Sequence, residues 1–342
     1  MTVGNEDSPA ASVRPVSSPA YRYVNALRKV LHWRETGILL AVLALFVYFR
    51  FSSPYFLTQD NLGVIGQYVA AAAIIAAGEV MVLICGELDL SVGQVYALAP
   101  FIMYFAQHAG IGLLPAVVLG LVAAALVGLI NGVITVGLGI PSFVTTLGML
   151  FFLNGFNLTI SGGYPVQPQG SGMLAMVFGA QGGAIEILWA IGIAVAFQFL
   201  LMKTRWGLHT VATGGNPVGA AEVGIQTGLI KIGNFMLCST LGGLAGVLDA
   251  FRIGSIDPLA GGTQIMFMAI ASAVIGGTLL TGGSGTVIGA LLGAVALGVL
   301  KDGFTILGVN AYTFDMILGV AIVVTMFMNV RLNRIREKGG KS

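Results

Sequence analysis

The chain has 342 residues, of which 56% are hydrophobic and only 9% charged, and its mean hydropathy is +0.93. A soluble domain carries roughly 25% charged residues, so this composition excludes a soluble globular protein and points to an all-α, polytopic membrane helix bundle. The net charge of +2 says little by itself, no nucleic-acid partner is expected of such a membrane chain, and the 50 glycines fit helices whose backbones approach closely within a bilayer.

From the N-terminus, a stretch rich in Ser, Pro and Ala reads as a disordered tail over residues 1–30, with no removable signal peptide. A single transmembrane domain is expected over 31–332, followed by a basic tail over 333–342. A bilayer core needs roughly 20 apolar residues per helix. Ten spans meet this need: 36–52, 62–85, 91–109, 112–138, 141–161, 183–202, 227–251, 263–280, 285–307 and 312–330. Lys and Arg concentrate before the first span (Arg14, Arg22, Arg28, Lys29, Arg34), in the 203–226 loop and its flank (Lys203, Arg205, Lys231), and after the last span (Arg331, Arg334, Arg336, Lys338, Lys341). The 161–182 loop has none. Both termini and the 203–226 loop are therefore expected in the cytoplasm, with 161–182 outside.

The second and third spans are separated by Gly86-Glu87-Leu88-Asp89-Leu90-Ser91-Val92-Gly93, a break that makes 62–109 either one broken helix or two full ones. Lipid satisfies neither free backbone groups nor charges, so such a break must be buried in protein, line a wet cavity or meet the membrane surface. Asp89 or Ser91 is expected to cap the helix that follows, with substrate contact as the second role for Asp89. Glu79, a lone carboxyl within the second span, is either a functional group or a protonated acid bonded to a neighbouring helix. Asn131, Asn154, Asn157 and Gln198 either line a polar pathway or make hydrogen bonds between helices. Asp249 and Arg252, one turn apart, are expected to pair, and Arg252 and Asp257 lie where an external protein would dock.

In the 203–226 loop, Asn216 is a capping residue, Pro217 suits the first helical position, and Gly224 closes a short helix through Ala220, Ala221 and Glu222 up to Ile225. Further on, Gly282, Gly283, Gly285 and Gly289 mark a second break. Shifting the chain by 196 residues places Gly86 on Gly282 and Gly93 on Gly289; shifting by 171 places Gly132, Gly137, Phe143 and Gly148 on Gly303, Gly308, Phe314 and Gly319. Two related halves, one with an extra helix, would explain both offsets.

No catalytic or metal-binding constellation emerges. Cys85 and Cys238 have no metal spacing, and His32, His108 and His209 are scattered. The terminal Gly340-Lys341-Ser342 lacks the glycine that a phosphate-binding loop needs five residues earlier, where Ile335 stands.

Three of these segments resemble the ribose/xylose/arabinose-type membrane subunits of ABC importers. Gly86–Gly93 is similar to that family's Gly-Gly-Ile-Asp-Leu-Ser-Val-Gly signature, Gly214–Ile225 to its cytoplasmic coupling segment, and Ile275–Leu300 to a third glycine-rich stretch. Glu87 stands where glycine is usual, and Lys301-Asp302 where an Asn-Asn-like pair is usual. The resemblance implies a permease dimer in the bacterial inner membrane that imports a monosaccharide or similar small polar solute by alternating access. It implies a separate cytoplasmic ATPase acting through Gly215, Asn216, Pro217, Ala220, Ala221, Glu222, Gly224 and Ile225, and a periplasmic sugar-binding protein. No cofactor is expected in this chain, ATP being used by the partner. The competing reading is an ion-coupled secondary transporter using Glu79 or Asp89.

Overall fold

The computed structural model describes residues 35–170, 172–180 and 184–310, together with 313–317, 319, 320, 323, 324 and 327. The expected tails over 1–30 and 333–342, with their basic residues, lie outside the described residues, as does part of the 312–330 span.

Twelve helices are defined: α1 (Thr36–Ser52), α2 (Gln59–Ile84), α3 (Val92–His108), α4 (Leu113–Gly137), α5 (Ser142–Ser161), α6 (Met173–Val177), α7 (Ala184–Lys203), α8 (Arg205–Gly215), α9 (Pro217–Glu222), α10 (Thr227–Ile253), α11 (Gly262–Ile275) and α12 (Val287–Ile306). Residues 313–317 are also helical, at the start of the tenth expected span. Among the described residues the extended pairing is one isolated bridge, Val166 with Ile256. Among the described residues, six helices are long and apolar enough to cross a membrane: Gln59–Ile84, Leu113–Gly137, Ser142–Ser161, Ile185–Lys203, Thr227–Ile253 and Val287–Ile306. Thr36–Ser52 and Gly262–Ile275 are shorter apolar helices. The span expected over 263–280 stops at Ile275 because Gly277 takes a φ of +94°, which a helix does not allow.

At the centre lies α2, surrounded by α7, α10, α11 and α12. Between Ala70 and Ile84 only Ala71 is not fully buried, as expected of a helix that is apolar all round. Its antiparallel neighbour α10 also packs on α3 and α4. Glycines bring these backbones together. A Cβ on Gly78 would lie 2.7 Å from the Cα of Cys238, and one on Gly128 2.4 Å from the carbonyl of Phe235. In α3, Pro100 has no N–H to offer the Tyr96 carbonyl; Gly246 of α10 fits against that carbonyl, where a Cβ would lie 1.8 Å away. By contrast, Leu119, Val122 and Leu126 of α4, Phe151 and Phe152 of α5 and Leu188 and Val195 of α7 are exposed, as a lipid-facing surface requires.

The loops expected on opposite sides of the membrane lie at opposite ends of the bundle. At one end, α8, which leads into α9, meets the C-terminus of α2, where the Ile84 carbonyl accepts from Gly283 N–H at 2.8 Å. At the other, the α6 segment meets the ends of α3 and α10 through the Val166–Ile256 bridge and the Gln107–Gln169 contact.

Candidate functional site: a buried break and a glycine elbow

The 62–109 region is two helices, and the break between them runs from an exposed Gly86 through half-buried Glu87 and Leu88 to a fully buried stretch from Asp89 to Gly93. It climbs from the α9 end, where Glu87 pairs with Lys231 at 2.5 Å, to Asp89 beside Ser239, the thirteenth of 27 residues in α10 (227 to 239). At about 1.5 Å per residue, Asp89 sits level with a point roughly 18 Å in from the start of α10, near the middle of that helix.

The freed backbone is satisfied by side chains. Leu88 N–H donates to Ser142 Oγ at 3.2 Å and its carbonyl accepts from Thr146 Oγ1 at 3.2 Å, both from α5. Asp89 Oδ1 accepts from Ser91 N–H at 2.9 Å and from Ser91 Oγ at 2.6 Å, and its Oδ2 accepts from Ser239 Oγ at 3.2 Å. Asn131 of α4 donates to Ser91 Oγ at 2.8 Å. The expected capping role thus takes a different form. Helix α3 starts at Val92, Ser91 makes no side-chain cap, and Asp89 instead fixes the turn before the helix.

Three predicted polar residues converge here. Asn131 holds the turn; Asn157 donates to the Gln94 carbonyl at 3.0 Å; Asn154 accepts from Gln94 Nε2 at 3.4 Å. Glu79 is fully buried, against the Cys238 thiol and the Asp89 backbone, and neither of its oxygens makes a hydrogen bond of good geometry. Gln198 stands apart: its side-chain oxygen accepts from Val287 N–H at 2.8 Å and Ile288 N–H at 3.2 Å, which caps α12. A helix start has orphan donors that an amide oxygen satisfies, so the pathway role predicted for Gln198 gives way to a structural one.

The second break meets the first. Gly86 and Gly282 both adopt left-handed φ, +78° and +85°, and a Cβ on Gly282 would lie 3.0 Å from Gly86 N and 3.0 Å from the Gly214 carbonyl. A Cβ on Gly214 would lie 1.6 Å from the Ile84 carbonyl, and one on Gly283 2.8 Å from Gly215 Cα. Gly285 packs on Thr278 and Ile84 in the same junction. The correspondence extends to the next turns. Gly93 of α3 abuts the Gly262 carbonyl and Gly289 of α12 abuts the Gly276 carbonyl, so α11 is gripped at both ends.

From this elbow the chain passes directly into α9. Asn216 Oδ1 accepts from Gly219 N–H at 3.0 Å, Pro217 takes the first position and Gly224 turns the chain at φ +86°. Ala220 is buried against the protein's own surface, whereas Val218, Ala221, Glu222, Val223 and Gly224 are exposed and Ile225 is half-buried. The outer face of α9 is therefore built from Val218, Ala221 and Glu222, and Ala220 is an inward anchor. Two features escaped the sequence reading. Helix α8 is one, although Trp206, Thr210 and Thr213 at three- and four-residue spacing mark its buried face. The other is Asn234, which donates to the Met81 carbonyl, Cys85 Sγ and Thr210 Oγ1 and accepts from Trp206 Nε1, pinning α2, α8 and α10 together.

Six membrane-length helices packed around a buried break make this a multi-pass helical membrane bundle. The model of the branched-chain amino acid transport system/permease component family matches residues 63–326, and the chain belongs to that family. It is 40% identical to the xylose/arabinose import permease of Sulfolobus acidocaldarius over 87% of this chain and 84% of the relative. It is 34% identical to the ribose import permease of Escherichia coli K12 over 86% and 93%. With the autoinducer 2 import system permease LsrC of Salmonella typhi the identity is 32% over 90% and 88%. No solved structure matches the chain.

Proposed function

We propose that this chain is the membrane subunit of an ATP-driven importer for a monosaccharide or similar small polar solute. Two copies act with a cytoplasmic ATPase and a secreted sugar-binding protein in a bacterial cytoplasmic membrane, the α9 end and both termini inside. ATP is used by the ATPase, and this chain holds no cofactor. The observation that carries the reading is the glycine elbow: the last turn of α8 abuts the breaks at 86 and 282–283 backbone to backbone and runs straight into α9, so displacement of α9 reaches both breaks through α8 with little slack. Closure of the ATPase would push α9, tilt the 86–91 segment and shift α3, whose first turn Asn131 and Asn157 tie to α4 and α5. The sugar-permease relatives support this reading and give none to ion-coupled transport through Glu79 or Asp89.

The test is reconstitution. The permease alone is expected to accumulate no sugar under an imposed proton or sodium gradient, and uptake is expected once ATPase, binding protein and ATP are supplied. Gradient-driven accumulation without ATP would overturn the reading.

Docking has its own test. Val218 is 68% exposed and Val223 77% exposed beside α9, apolar area of the kind a partner covers. Val218→Arg is expected to cut ATP-driven uptake more than tenfold at normal membrane levels, because one buried charge without a partner costs more than about 1.4 kcal/mol. Co-purification with the ATPase should fall in parallel; unchanged co-purification would place docking elsewhere.

A further inference from the structure

We propose that a polar cavity at the α6 end of the bundle is the subsite where a neutral, hydroxyl-rich, monosaccharide-sized solute first meets this chain; this rests on the importer reading above. The cavity, of about 160 Å³, lies among α2, α3, α10, α11 and α12, with Gln67, Tyr68, Asp249, Arg252, Gln264 and Lys301 in its walls. It adjoins a second cavity of about 220 Å³, with Lys301 and Gln264 on the shared wall. Sites that hold drug-sized ligands measure about 300–1,000 Å³, so this one suits something smaller.

One side of the cavity is fixed in advance. Arg252 donates through Nε to Asp249 Oδ1 at 2.8 Å and lies 3.2 Å from Glu186 Oε1; its Nη1 donates to Gln67 Oε1 at 3.2 Å. Tyr96 donates to the other oxygen of Asp249. With Asp249 and the Gln67 oxygen so engaged, Arg252 is neutralised and held still, and a ligand need not reorganise it.

The other side is open. Gln67, the exposed Gln264 and Lys301 line the cavity, and among the described residues their amide and ammonium N–H groups donate no hydrogen bond. Lys301 lies over the Tyr68 ring, 4.5 Å from its centroid, and Asp315, on the wall of the adjoining cavity, acts on its charge. Charge is therefore nearly balanced across the paired cavities, which disfavours an anion, while the spare donors ask for a ligand rich in acceptor oxygens. An aromatic ring beside such donors matches a sugar, which presents C–H groups on a face and hydroxyls around its rim. A lysine this far into a membrane helix calls for a role; its neighbour Asp302 already has one, accepting from Asn61 Nδ2 at 2.7 Å.

The test uses the permease–ATPase complex without binding protein, so that nothing else covers this end. Gln264→Cys provides the thiol, since Cys85 and Cys238 are buried. Labelling by a membrane-impermeant maleimide from outside is expected to slow several-fold in D-xylose, D-ribose or L-arabinose and to be unaffected by L-leucine. In the full importer, Lys301→Met is expected to lower uptake of the protecting sugar about tenfold, the loss of one charged hydrogen bond. Labelling that no sugar slows, or that leucine slows instead, overturns the subsite. Protection with normal uptake by Lys301→Met removes Lys301 from it. A wild-type importer that takes up none of the three sugars with ATP would instead count against the proposed function, a separate result.

Discussion

Gly214→Ala is expected to abolish uptake, and Gly215→Ala to leave it near normal. The two glycines are adjacent, equally small and in the same last turn of α8, so helix propensity does not separate them. Space does. A methyl on Gly214 would lie 1.6 Å from the Ile84 carbonyl and 2.8 Å from Gly283 N, both backbone atoms with nowhere to go. A methyl on Gly215 would meet Gly283 Cα at 3.8 Å, an ordinary contact. Overpacking typically costs about 1–3 kcal/mol where neighbours can shift, and here relief requires α8 to separate from the end of α2. The Gly283–Ile84 hydrogen bond at 2.8 Å would go with it. Uptake and ATPase stimulation by binding protein, measured at matched expression, check the pair. Equal effects from the two substitutions would mean that the elbow does not transmit motion.

Asp89→Leu is expected to damage the protein far more than Asp89→Asn. The leucine leaves Ser91 N–H, Ser91 Oγ and Ser239 Oγ without their acceptor in a site from which water is excluded. Each such loss costs about 1–3 kcal/mol, enough in sum to unfold a marginal protein. Asparagine keeps one oxygen, which can still accept from Ser91 N–H and hold the turn before α3. The expected results are a melting temperature in detergent lowered by many degrees, with little uptake, for Asp89→Leu, and modest changes for Asp89→Asn. If Asp89→Asn folds normally yet abolishes uptake, the carboxylate has a role in transport beyond fixing the turn.

The membrane spans were legible because they are local. A run of about 20 apolar residues crosses a bilayer whatever its neighbours do, and the helices from Gln59–Ile84 to Val287–Ile306 lie within a few residues of their expected places. The interruption at 86–93 was legible for the complementary reason, since two carboxylates and two glycines between apolar runs do not continue a lipid-exposed helix. The bounds of α9 follow from its own cap, first proline and closing glycine, all within ten residues of chain.

What joins distant segments was hidden. In a chain with 50 glycines, nothing distinguishes Gly214 from Gly215, or pairs Gly86 with Gly282, until the backbones are seen to touch. Ala220 is equally small on either face of α9, and its inward direction depends on what α9 rests upon. Gln198, Asn154 and Asn157 are all amides within apolar helices, yet one caps α12 while the others grip the first turn of α3. Asn234 becomes a hub only because α2 and α8, about 150 and 25 residues away, arrive at its side chain. Hydropathy and capping act over one or two turns of chain and are readable in order. Backbone approach and side-chain partnership between remote segments depend on how the helices pack, and there an amide or a glycine acquires its role from its neighbours in space.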